Sequence, residues 1–201
     1  IAWIPSEIQS YITKKLGATP ELGDPIKRLA IAQDTEKFLR LITQSLSASP
    51  SNFEIFGFAL LRVHLEKFAC RIYRDTNTAT HDRGVDLSTD FGVVYQLKKL
   101  RILTESDAQK LLDEVHANFD EQRISDGKVV VVIDELSKDV RQYLINMRIQ
   151  PLGTSDLLQI AKTFEDAEDR QKVLRVVFDE FRREYGAPQA RTNASALPSA
   201  L

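Results

Sequence analysis

The chain has 201 residues, 43% of them hydrophobic and 28% charged, the proportions of a globular domain rather than of a disordered, collagenous or disulfide-stapled chain. Lys and Arg number 27 and Asp and Glu 29, a formal charge of −2, so no whole-molecule positive field advertises a polyanionic partner and nucleic-acid binding has to be argued locally. Cys70 is the single cysteine, which excludes an intrachain disulfide and a CxxC motif and points to a reducing compartment, the cytoplasm by default.

No apolar run approaches the roughly 18 residues that span a bilayer, and residues 1–10 lack a basic flank before an apolar core, so neither membrane nor secretion is indicated. The chain opens at Ile1 and its sole methionine is Met147, which suggests a portion of a longer polypeptide.

Taken in order, residues 1–50 read as a helical arm or the remnant of a preceding domain, with one amphipathic stretch marked by Leu29, Ala32, Phe38, Leu41, Ile42 and Leu46. Ser47–Asn52 is a helix stop followed by a fresh start, so a domain boundary is expected near residue 50. A long helix follows over Phe53–Tyr73, apolar around most of its first three turns and therefore buried. Next come a loop, a short strand at GVDLS, a tight turn at TDF and a second strand over Gly92–Lys98. Thr104 with Asp107 resembles a capping box, and Ala108, Leu111, Leu112, Val115 and Phe119 mark the sheet-facing side of the next helix.

Lys128–Asp134 has four valines and an isoleucine between Gly127 and an acidic pair, the pattern of a central strand covered on both faces. A helix at Lys138–Asn146, an extended piece at MRIQPLG, a helix after Thr154 and an amphipathic helix over Ala167–Tyr185 complete the order. Alternation of helices and strands places residues 51–186 in the α/β class, while residues 187–201 read as a flexible tail.

Glu66 interrupts the otherwise apolar stripe Ala59, Val63, Cys70, Tyr73, and a buried carboxylate needs a partner or a cation. Taken alone, an ion pair with Arg62 or Arg74 would explain it. Asp86 adds a second carboxylate, on the surface of its strand opposite to Val85 and Leu87. Gln96 and Lys98, two apart on the next strand, share one face, with Tyr95 and Leu97 on the other. A hairpin can bring that face beside Asp86, and the preceding helix can lay Glu66 against it. Hard oxygen ligands hold Mg²⁺, the metal lowers the pKa of bound water, and an ammonium offsets charge developing on phosphoryl oxygens.

With these residues in view, G-V-D-L at 84–87 followed by Q-L-K at 96–98 resembles the core of the PD-(D/E)xK nucleases, the Gln variant the Mrr-like branch, and residues 58–100 the HaeII-like type II restriction endonucleases. The resemblance covers about residues 53–134. It implies a mixed β-sheet flanked by helices, restriction endonuclease-like, and Mg²⁺-dependent hydrolysis of double-stranded DNA by a type II restriction enzyme or its catalytic portion. Asp86 would be the central metal ligand, Gln96 would stand where Glu or Asp is usual, Lys98 would be the motif lysine and Glu66 the helix acid. Two departures stand out: Val85 replaces the motif proline, and Gln96 removes one negative charge beside the metal.

Homodimerisation is expected by analogy, with the arm as a candidate interface. The alternatives are a methyl-directed or structure-specific nuclease, and a non-catalytic DNA-binding or interaction module of the same fold. Arg83, Lys99, Arg101 and His81 are candidate contacts to DNA phosphates, alongside Arg71 and Arg74. VVVVIDE at 129–135 has the look of a Walker B strand, but no Gly-rich phosphate cradle with lysine accompanies it. Cys70 reads as a core thiol, and His64 and His116 as packing or surface residues.

Overall fold

The computed structural model describes residues 22–74 and 87–185. Three helices open this part: α1 (Pro25–Gln33), α2 (Thr35–Ala48) and α3 (Pro50–Glu66), their starts capped by the side chains of Asp24, Asp34 and Ser49. Ser49 closes α2 and opens α3, with Pro50 supplying a φ already suited to a first helical turn. Strands β1 (Ile72–Arg74), β2 (Leu87–Thr89) and β3 (Val94–Ile102) follow, then α4 (Glu105–Asn118), α5 (Glu121–Ser125), β4 (Val129–Leu136), α6 (Lys138–Asn146), β5 (Ile149–Gly153), α7 (Thr154–Lys162) and α8 (Ala167–Tyr185).

The five strands form one mixed sheet in the order β1-β2-β3-β4-β5, antiparallel from β1 to β3 and parallel from β3 to β5. This is the expected α/β class with helices on both faces. On one face, Phe38, Phe53, Phe56, Phe164 and Phe181 from the helices pack with Tyr95, Leu97, Val130 and Val132. On the other, Ala108, Leu111, Leu112 and Val115 of α4 and Val140 and Leu144 of α6 cover Val94, Val129, Val131 and Ile133. The alternating valines of β4 thus serve two cores, which is why that strand is a continuous apolar run. Gly57 of α3 sits so close to β3 that an added Cβ would lie 2.9 Å from Leu97.

Three expectations are corrected. Described residues 22–48 are no separate arm: Leu22, Ala32, Phe38, Ile42 and Leu46 are fully buried in the same core as α3 and α8. The long helix ends at Glu66 instead of Tyr73. A turn with Ala69 at φ +56° redirects the chain, and Ile72–Arg74 becomes an edge strand against Leu87–Thr89. Strand β3 begins at Val94 and runs on to Ile102, because Gly92, at φ +77°, belongs to the turn. The segments 75–86 and 186–201, including the proposed tail, lie outside the described residues. No helix among the described residues is long and apolar enough to cross a membrane.

Candidate active site

The alternation expected on β3 is present. Tyr95 and Leu97 enter the core beneath α3, whereas Gln96 and Lys98 face α4. There they meet Glu114. Its Oε1 accepts a hydrogen bond from Gln96 Nε2 at 3.3 Å and forms an ion pair with Lys98 Nζ. Gln96 is only 2% exposed, and its Oε1 has no hydrogen-bond partner among the described residues. Leaving a buried acceptor unsatisfied costs about 1–3 kcal/mol. A core built for packing alone would hold an apolar residue here, as it does at Tyr95 and Leu97 on the reverse side.

Lys98 and Glu114 are partly open to solvent, so the group lies at the boundary between core and water. Among the described residues no cluster of three or more His, Cys, Asp or Glu side chains is gathered at metal-binding distances. The oxygen donors in hand are therefore the Gln96 amide and the Glu114 carboxylate.

Asp86, Arg83 and His81 lie outside the described residues. Leu87, which follows Asp86, pairs with Tyr95 and is buried in the α3-side core, the orientation expected for it. Glu66 is not brought to this group. It stands at the C-terminal end of α3, on the opposite layer, with a side chain 46% exposed and bonded to Arg62 Nε at 3.1 Å. Val63 on the same stripe is buried, but Glu66, at the last helical position, keeps its carboxylate in water. It borders a cleft of about 430 Å³ by β1 that also receives Arg62, Arg71, Arg74 and Arg183.

Of the residues expected at DNA phosphates, Lys99, Arg74 and Arg101 are each paired with carboxylates. Lys99 projects to the α3 side, where its Nζ donates to Asp134 Oδ2 at 2.8 Å and to the Leu46 carbonyl at 2.9 Å. It ties α2 to the sheet. Asp134 also accepts from the Thr154 hydroxyl at 2.9 Å. Burial pushes the Asp134 carboxyl up, but the Lys99 and Thr154 hydrogen bonds and the Lys99 charge outweigh it and hold the group below the usual carboxylate range. Arg74 is likewise engaged, by Glu180 and Glu184. Arg101 remains at the surface, paired with Glu135 at 2.6 Å. Burial pushes the Cys70 thiol up and the Asp90 charge adds to this, the opposite of an activated thiolate.

Glu114 is the residue that sequence reading missed. It lies three residues after Leu111 and one before Val115, so it shares the side of α4 that meets the sheet. That offset was legible; its pairing with a strand sixteen residues upstream was not. No family model, curated protein or solved structure matches this chain.

Proposed function

We propose that this protein is a metal-dependent deoxyribonuclease that hydrolyses phosphodiester bonds of double-stranded DNA with Mg²⁺, a type II restriction enzyme or its catalytic portion acting as a homodimer. The observation that carries the reading is the buried oxygen of Gln96, without a partner among the described residues, on the same face as Lys98. Further support comes from the order of elements between α3 and β4, which agrees with the fold that the resemblance of residues 53–134 implies.

The donor set fits a hard cation. Mg²⁺ takes oxygen ligands and keeps several waters, so one amide oxygen and one carboxylate suffice as protein ligands. Gln96 Oε1 and Asp86 would hold the ion, with Glu66 taking no part. Bound there, the metal would polarise the phosphate and acidify a coordinated water. Lys98 would orient the attacking water and offset charge on the phosphoryl oxygens. Dry walls from the α4-side core strengthen both interactions by lowering the local dielectric.

The test is incubation with plasmid DNA with and without Mg²⁺, followed by sequencing of the ends. Cleavage should require the metal, and Lys98→Ala should reduce it by about a hundredfold or more. Binding of DNA with no nicking at any Mg²⁺ or Mn²⁺ concentration would replace this reading with that of a binding module.

A further inference from the structure

We infer that Glu114 is a positioning residue: it sets which way the Gln96 amide points and where the Lys98 ammonium rests, and it acts through them rather than on the metal. The inference rests on the hydrolase reading for its purpose, and on the following geometry for its content.

An amide side chain carries an acceptor oxygen and a donor nitrogen of nearly equal size, so packing alone does not decide between its two orientations. Gln96 is too deeply buried for solvent to decide either. Glu114 can decide, because a carboxylate only accepts. With its Oε1 3.3 Å from Gln96 Nε2, turning the amide over would set two oxygens against each other. The orientation that remains directs Gln96 Oε1 away from the carboxylate, with no hydrogen-bond partner among the described residues.

The same Glu114 oxygen takes the Lys98 ammonium. One atom on α4 therefore aligns two consecutive inward-facing side chains of β3. Glu114 is itself 42% exposed at its side chain, so the core does not depend on it for packing. Its two neighbours use its charge and its acceptor capacity. This is the arrangement by which outer groups orient metal-binding side chains and ammonium groups.

The test compares Glu114→Ala, which removes the acceptor, with Glu114→Gln, which keeps an oxygen at that place but adds an amide donor, so that either orientation of Gln96 can be met. In the metal-free protein, NMR of the Gln96 side-chain amide protons should show faster exchange with water and loss of the hydrogen-bonded shift in Glu114→Ala, and a smaller change in the same direction in Glu114→Gln. Mg²⁺ titration by calorimetry should show affinity weakened about 10- to 100-fold in Glu114→Ala, as for other orienting partners of metal sites. In Glu114→Gln the loss should be smaller, about threefold to tenfold, because the new amide can still accept from Gln96 Nε2 but no longer excludes the turned-over orientation. Unchanged Gln96 amide signals in Glu114→Ala would overturn the inference. So would equal loss of Mg²⁺ affinity in both variants, which would make Glu114 a ligand. Amide signals that respond as expected in a protein whose wild type cuts no DNA would sink the hydrolase reading alone.

Discussion

On the α3 side of the sheet, Arg170, Arg74 and Lys99 each end on identified acceptors, whereas on the α4 side the Gln96 oxygen ends on none among the described residues. Arg170 shows how complete the first kind of arrangement is. Nearly inaccessible, it donates to the carbonyls of Ala32 at 2.6 Å, Phe164 at 2.7 Å and Glu165 at 2.8 Å, binding α1 to the turn before α8. These are polar groups spent on holding helices together. Gln96, on the reverse of the same sheet, holds nothing with its oxygen among the described residues, and the fold tolerates the cost. A polar group kept at a cost to stability is a functional candidate; one that satisfies its neighbours is architecture.

The largest effect should come from breaking the architectural side. Arg170→Met would strand three carbonyls and lower stability by about 3 kcal/mol or more. Urea unfolding should show a lower midpoint with an unchanged slope, and cleavage per folded molecule should be retained.

Gln96→Leu gives the converse. Removing this amide loses its hydrogen bond to Glu114 but also the unsatisfied oxygen, so stability should stay within about 1 kcal/mol of wild type. Mg²⁺-dependent cleavage should fall about a hundredfold or more. Loss of stability alongside loss of activity would return Gln96 to a structural role.

Glu66→Gln sharpens the distinction between the layers. An exposed ion pair with Arg62 contributes less than about 0.5 kcal/mol, so neither the unfolding midpoint nor cleavage should move appreciably. A hundredfold loss of cleavage would place the carboxylate back in the site.

The smallest effect is a pH dependence on the α3 side. Burial, with the Lys67 charge, pushes the His64 imidazole below its ordinary value, and its Nδ1 is the other buried polar atom without a partner among the described residues. Since the folded value lies below the unfolded one, the stability this group carries is full above about pH 6.5 and is lost as pH falls through the folded value. Unfolding at pH 7.5 and 5.5 should show this decline, and His64→Leu should flatten it.

Local rules made much of this legible in the sequence. Period-two alternation placed Gln96 and Lys98 on one face of β3 and Tyr95 and Leu97 on the other, because successive strand side chains must diverge. The run of four valines and Ile133 announced a strand covered on both sides, and Ser47–Asn52 and Thr104 announced helix starts. What a helical stripe could not announce was its depth of burial. Glu66 is in register with the buried Val63 and Ala59, yet its side chain is exposed and paired with Arg62. Likewise Lys98 and Lys99 are adjacent and chemically identical. Only the sheet, with α4 on one face and α2 and α3 on the other, makes one a candidate for chemistry and the other a tie to Asp134 and Leu46.

The sequence by itself determined the alternation of elements, the two-sided strand at the centre and the pairing of an amide with a lysine two positions apart, since each depends on neighbours within a few residues. The tertiary structure alone decided that Glu114, rather than Glu66, is the carboxylate beside them. Which layer a helix covers, and how far along it the contact lasts, follows from packing between segments whose separation in the chain carries no period to read.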